Sequence, residues 1–283
     1  MISIRNNLQK RTKLINNLIL LIINKRNQSS NETTTTTINI NNKPEYYDIV
    51  ICGGGMVGTA MARSLGTDNV FKNLKIALIE SSSSSKKNEY LKPEIHSNRV
   101  CALNETTINL FKTLNCFDFI KQNRYGIVKH MHVWDGSSDS FITFNSNNND
   151  QDNNNNNNLA LIVENDLIQA SLLNDLNKYE NINVFYSNEI NDFNNQNQNE
   201  FINLKLKNGQ QLNTKLIIGS DGANSFIRNK AEFKVTKWDY DQVAIVGTVK
   251  LAQKQLNETF WQRFLSTGPI ALYPVIFLLI LFK

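Results

Sequence analysis

Apolar positions along the chain fall into short blocks, and the spacing within the blocks switches between the strand and helix periods. Asp48 to Cys52 (DIVIC) is a β-branched apolar run, the pattern of a buried strand. Met56 to Leu65 reads as a helix, and Lys75 to Glu80 (KIALIE) as the next strand. Arg99 to Phe111 predicts a short strand or turn followed by a helix. His130 and His132 alternate on a strand-like stretch, and Phe141 to Phe144 is a strand. Leu159 to Asn177 starts extended and becomes helical from about Asp166. Ile182 to Tyr186, Phe201 to Leu206 and Lys215 to Ile218 complete the strands of this region. Strands that alternate with helices predict an α/β fold.

Polar tracts separate these blocks. Residues 32–44 contain a Thr run and read as a linker. Ser81 to Ser85 is a polar run, and Asn145 to Asn158 and Asn191 to Asn199 are rich in asparagine. Such segments bury too little apolar surface to offset the entropy of ordering, so the asparagine tracts read as insertions in surface loops.

The first strand runs directly into Gly53, Gly55 and Gly58, in G-x-G-x-x-G spacing, and the helix follows. Gly53 permits a tight turn, Gly55 lets a pyrophosphate approach bare backbone, and Gly58 lets the helix pack closely. The helix N-terminus then offers free N–H groups and its positive dipole end to phosphate. Glu80 lies about 22 residues after Gly58, near the ~20 expected for a ribose-binding carboxylate. A carboxylate there would repel a 2′-phosphate, which favours FAD or NAD over NADP. A glycine triplet alone is compatible with an ordinary turn; the strand–turn–helix–strand context with its terminal Glu makes it a dinucleotide signal.

A second glycine turn follows the strand at Lys215 to Ile218: Gly219-Ser220-Asp221-Gly222-Ala223-Asn224-Ser225-Phe226-Ile227-Arg228. Asp221 could reach a ribose hydroxyl, and Gly222 could leave backbone open to a phosphate. Taken alone, the same residues suit a plain strand-to-helix turn with an Asx cap.

Charge and cysteine change the picture only at the N-terminus. The net charge is +5, yet residues 1–31 hold six basic residues and no acid, so the remainder carries −1. The basic pI therefore gives no case for nucleic acid. Residues 1–31 resemble a mitochondrial targeting segment. A secretory signal is the rival, but no clear small-residue cleavage site is present. A disordered tail is another. Leu14 to Ile23 is shorter than the ~20 apolar residues of a membrane span. Three cysteines without a C-x-x-C pattern (Cys52, Cys101 and Cys116) argue for a reducing compartment, with Cys52 a buried apolar residue. His130 and His132 would share a strand face, but they lack the further ligand motif of a metal site.

The two glycine stretches together resemble the FAD-dependent aromatic hydroxylases, the group typified by para-hydroxybenzoate hydroxylase. Arg99 to Leu103 (RVCAL), Ile162 to Asn165 (IVEN), Tyr240 to Gln242 (YDQ) and Trp261 to Pro274 (WQRFLSTGPIALYP) narrow this to the ubiquinone-biosynthesis monooxygenases, mitochondrial branch. The likeness covers roughly Glu45 to Pro274. It implies a Rossmann-like, three-layer FAD-binding domain (45–125 and 159–235). An interleaved, incomplete mixed β-sheet substrate domain would occupy 126–158 and 236–283, with the asparagine insertion at 145–158. The resemblance puts Gly53, Gly55, Gly58 and Glu80 on the ADP half of FAD, Arg99 near its phosphates or flavin, and Asp221 and Gly222 on the same cofactor. It implies hydroxylation of a polyprenylated aromatic ring, with electrons from ferredoxin and its reductase or from NAD(P)H. It also implies contact with other ubiquinone-biosynthesis proteins and peripheral attachment to the matrix face of the mitochondrial inner membrane. No catalytic acid, base or nucleophile is visible. Arg263 suits substrate contact and a structural ion pair equally, and Tyr273 has no assigned role.

The family's third motif, a G-D pair that holds the ribityl chain, would lie beyond Pro274. The chain continues there as an apolar run, Val275 to Lys283. The expectation is a truncated, inactive product whose second sheet stops partway and leaves its apolar end uncovered. Another FAD oxidoreductase of this fold, such as a prenyl-chain reductase, and a non-catalytic fragment are the alternatives.

Overall fold

The computed structural model describes residues 44–84, 97–146, 158–194, 201–249, 258–274 and 278–282. Residues 1–31, most of the linker, Ser85, residues 147–157 of the first asparagine tract and 195–199 of the second lie outside the described residues.

The first sheet has six strands in the order β8-β2-β1-β11-β10-β9. These are β1 (Glu45–Cys52), β2 (Ile76–Ile79), β8 (Ile182–Phe185), β9 (Ile190–Asn194), β10 (Ile202–Leu206) and β11 (Gln211–Gly219). The strands β8, β2, β1 and β11 run parallel; β10 pairs antiparallel with β11, and β9 antiparallel with β10. The last six residues of β1 and all four of β2 are buried, as expected for parallel strands covered on both faces. Alternation sorts their side chains. Ile49, Ile51, Ile76 and Leu78 pack beneath helix α1 (Met56–Thr67) with Ala62 and Leu65. Val50, Cys52, Ala77 and Ile79 face the other way, with Ile190, Leu204 and Leu212.

A three-stranded antiparallel sheet, β3-β7-β4, lies beside it. It comprises β3 (Val100–Leu103), β4 (Gly126–Val128) and β7 (Ala160–Glu164). Helices α2 (Glu105–Thr113), α3 (Phe117–Lys121) and α4 (Asn165–Leu173) cover one side of it. Leu161 and Val163 of β7 point into that helical core with Phe111, Phe117 and Leu172. Ile162 points the opposite way, onto Phe260 and Ala271 of the second large sheet.

That sheet is mixed, in the order β12-β15-β14-β13-β5-β6. Its strands are β5 (His130–Asp135), β6 (Phe141–Asn145), β12 (Ala244–Thr248), β13 (Thr259–Leu265), β14 (Gly268–Tyr273) and β15 (Leu278–Phe282). Only the β13–β5 pairing is parallel. Among the described residues, no helix is long and apolar enough to cross a membrane.

Two expectations change. Ile190 to Asn194 is a strand rather than an insertion: it forms the sheet edge against β10, with Ile190 buried. An edge strand needs backbone partners on one side only, so exposed Asn and Asp side chains are tolerated there. The second expectation concerns the sheet edge: the run after Pro274 does not end the sheet on an open strand. Leu278–Phe282 pairs with β12 on one side and β14 on the other, inside the sheet.

Arg63 of α1 is 3 % exposed and was not singled out by the sequence. Its guanidinium donates to the carbonyls of Leu114, Asn115, Leu172 and Asn174. These are the C-terminal ends of α2 and α4, where unpaired carbonyls collect and a cation is favoured. The side chain therefore clamps the glycine-turn helix to the helical layer.

Candidate functional site

The two glycine turns meet. Ser220 donates its N–H to the Cys52 carbonyl at 2.8 Å, and its hydroxyl to the carbonyls of Cys52 at 2.7 Å and Gly53 at 3.0 Å. Gly53 has φ +96°, and a Cβ on it would lie 2.5 Å from the Ser220 carbonyl oxygen. Gly58 is tighter: a Cβ there would lie 1.9 Å from the Gly53 oxygen and 2.4 Å from Ser220 Oγ. The close packing expected at Gly58 is thus against the turns themselves. Gly55 is different, because a Cβ there would meet nothing within 4 Å. Its backbone faces open space.

Gly55 is also the N-cap residue of α1, with no side-chain cap and no acidic residue in the first turn. The positive dipole end of a 12-residue helix therefore lies beside the cavities with no acidic residue in its own first turn, and the nearby Glu80 carboxylate is engaged with the Gly54 N–H, one residue before the cap. The Gly54 carbonyl is tied down by the Thr59 hydroxyl at 2.8 Å and by the Gln169 amide.

Two adjoining cavities open beside this turn. One, of about 320 Å³, is lined by Gly54, Gly55, Glu80, Arg99, Gln169 and Tyr186 among others. The second, of about 430 Å³, is lined by Gly53, Gly55, Glu80, Glu189, Asp221 and Gly222 among others. Gly55 and Glu80 border both. The structure thus brings six of the seven predicted residues to a cleft formed by these two adjoining cavities: Arg99 to the first, Gly53, Asp221 and Gly222 to the second, and Gly55 and Glu80 to both. Gly58 lies behind the cleft as packing.

Glu80 is more engaged than its spacing suggested. Its Oε2 accepts from the Gly54 N–H at 2.7 Å, and its Oε1 from the Ser82 N–H at 2.7 Å and the Ser82 hydroxyl. A carboxylate has about four lone-pair sites, so capacity for a further donor remains. Asp221 shows the capping geometry. It accepts from the Ser225 hydroxyl at 2.6 Å and from the Ile227 N–H at 3.1 Å, at the start of helix α5 (Phe226–Lys230). Burial raises its pKa, but the Ser225 hydroxyl and the N–H groups of Ile227, Asp221 and Phe226 outweigh this and hold it below the ordinary carboxylate value.

A folded-state pKa below the unfolded one stabilises the fold above the unfolded pKa of ~3.9 and stops doing so as the pH falls through the folded value. Asp221→Asn is therefore expected to flatten the acid limb of the melting temperature plotted against pH. Acid limbs that superimpose for the two proteins would refute the cap.

The Cys52 thiol is pushed up to about 12 by burial, reinforced by Asp221, Glu189 and Glu80. It stays neutral, in keeping with a packing role. His130 Nδ1 pairs with Asn145 Oδ1 at 2.9 Å, and His132 Nδ1 with Thr143 Oγ1 at 3.1 Å, so both rings act across the β5–β6 pair. His132 also stacks on Trp261. Arg263 lies on that face with Trp134 and Asp135, outside the cleft. Tyr273 packs edge-on to Phe260, and burial raises its pKa.

Gln169, Ser82, Tyr186 and Glu189 are cleft residues that the sequence reading missed. Nothing in their local pattern marks them. Tyr186 and Glu189 arrive because β8 pairs with β2, a choice of strand order that no local period encodes.

No family model matches the chain. The chain is 38% identical over 253 residues to the protein named "Ubiquinone biosynthesis monooxygenase COQ6, mitochondrial" from Dictyostelium discoideum, which covers 83% of this chain and 51% of that protein. It thus spans about half the length of the curated relatives it matches. The fold resembles that of pqsL, a probable FAD-dependent monooxygenase from Pseudomonas aeruginosa, with a TM-score of 0.65 at 17% identity over 84% of this chain and 60% of that one. It also resembles the flavin-dependent monooxygenase PieE in complex with FAD and substrate, with a TM-score of 0.60 at 12% identity over 85% and 44%.

Proposed function

The chain belongs to the COQ6-like FAD-dependent monooxygenases, and on that premise we propose that its cleft holds FAD for hydroxylation of a polyprenylated aromatic ring in ubiquinone biosynthesis. One observation carries the reading. The Gly55 backbone and the uncapped start of α1 face open space between two cavities that share Glu80. An anionic dinucleotide fits there: bare N–H groups and a helix dipole await a pyrophosphate, and no side chain obstructs it.

In this reading Gly53, Gly55 and Gly58 shape the pyrophosphate cradle. Glu80 accepts a hydrogen bond from the ribose and disfavours a 2′-phosphate. Arg99, on the cavity wall, balances the phosphate charge. Asp221 and Gly222 line the far side of the cleft, where Asp221 orders the turn that Gly222 presents. Bound FAD supplies the oxygen-activating chemistry, while the protein supplies position and electrostatics. Segments 45–125 and 159–235 form the cofactor domain, and 126–158 and 236–283 the substrate domain. Ferredoxin with its reductase, or NAD(P)H, supplies the electrons. Residues 1–31 direct the protein to mitochondria, where it works at the matrix face of the inner membrane with other proteins of the pathway. The relative's mitochondrial name and the basic, acid-free N-terminus support the placement.

The test is the absorption spectrum of the purified full chain with added FAD, followed by product analysis with a polyprenylated hydroxybenzoate and a reductant. Flavin bands on the protein and a hydroxylated ring are expected. Absence of bound flavin defeats the cofactor site, and a reduced prenyl chain in place of a hydroxylated ring defeats the reaction.

A further inference from the structure

Glu164 ends β7, is 1 % exposed and lines neither cavity of the cleft. It accepts the Arg124 fork, with Oε1 on Nε at 2.5 Å and Oε2 on Nη2 at 3.0 Å. Its Oε2 also takes the Ser97 N–H at 2.9 Å. Burying such a pair costs desolvation, and apolar residues of similar volume often give equal stability. Apolar residues could not hold the Ser97 N–H, however. From Ser97 the chain runs directly to Arg99. The Arg99 N–H donates to Ser97 Oγ at 3.3 Å, and the Arg99 carbonyl accepts from the Asn165 N–H at 2.9 Å. Two consecutive residues, Glu164 and Asn165, therefore tether both ends of a three-residue segment, and Arg99 goes from that segment into the cavity wall beside Gly55.

We propose that the Arg124–Glu164 pair is a positioning device for Arg99. It fixes the backbone from which the Arg99 guanidinium meets the dinucleotide's phosphates. The inference rests on the FAD reading above and deepens it. A bidentate fork suits the task because it restrains orientation as well as distance.

The experiment is a double-mutant cycle on the full chain, read by FAD titration at several salt concentrations. Arg99→Ala and Glu164→Gln are each expected to weaken FAD binding about tenfold, and the double variant to bind no worse than Arg99→Ala. Once the guanidinium is gone, its placement no longer matters. Glu164→Gln should also flatten the salt dependence of binding as Arg99→Ala does, because both remove the same charge contact. A purely structural Glu164 would not move that slope. Losses that multiply in the double variant, or no loss in Glu164→Gln, overturn the proposal. Should Glu164→Gln fail to fold, Arg124→Lys keeps the charge, loses the fork, and enters the same cycle with the same two outcomes. A parent chain that binds no FAD overturns the functional reading and this inference with it, and that result is seen before any variant is made.

Discussion

Replacing Gly55 with Asp is expected to yield a folded protein that carries no flavin. The fold should survive because Gly55 has φ −66° and ψ −177°, a conformation open to any residue, and a Cβ there would touch nothing within 4 Å. The added carboxylate would stand at the mouth of α1, where the proposed FAD site puts the pyrophosphate. Two like charges ~4 Å apart repel by about 4 kcal/mol at an effective dielectric of ~20. That corresponds to roughly a thousandfold in affinity, before any loss from occupied volume. Flavin content and the melting temperature of the flavin-free protein are the measurements. A variant that retains parental flavin would show that the pyrophosphate does not lie against Gly55.

Gly58→Ala should behave in the opposite way, losing stability first and flavin as a consequence. Its new methyl would sit 1.9 Å from the Gly53 oxygen and 2.4 Å from Ser220 Oγ. The first of these is backbone, which cannot rotate aside, and Ser220 Oγ is already committed to the carbonyls of Cys52 and Gly53. Relief requires α1 to move off the turns, but the Arg63 clamp and the packing of Ala62 and Leu65 oppose that. Overpacking costs 1–3 kcal/mol in compliant cores, and this site should lie at or above the upper end, at about 3 kcal/mol. Urea unfolding checks it: an unchanged midpoint would mean that the two turns do not abut as described. The contrast between the two glycines, three positions apart, separates a residue facing the ligand from one facing the fold.

Much of the first sheet was legible in advance. The strand at 48–52, the helix from Met56 and the strand ending near Glu80 follow from local apolar periods and glycine spacing, and each lies within a few residues of its observed span. The same holds for Val100–Leu103, Asn165–Leu173 and Gln211–Gly219. Reading failed where composition stood in for pattern. The asparagine content of 191–199 hid β9, whose register with β10 places Phe193 opposite Leu204. The second sheet looked as if it stopped at an open edge because the partners of Leu278–Phe282, β12 and β14, could not be paired with it from sequence.

By itself the sequence determined the strand–turn–helix–strand unit, its open glycine and its terminal carboxylate, because these depend on contacts within about thirty residues and on backbone freedom encoded by residue type. Only the tertiary structure decided what surrounds them. Ser220 locks onto Cys52, 168 positions away, and Gln169 reaches Gly54 across 115. Arg63 gathers carbonyls from two helices, and Glu164 tethers Ser97 from 67 positions away. Such contacts arise from strand order and helix packing, which are set by the burial of whole faces rather than by any local period. For that reason the glycines and carboxylates that border the cavities could be named from the chain, while Gln169, Tyr186 and Glu189 beside them, and the Arg63 and Glu164 contacts behind them, could not.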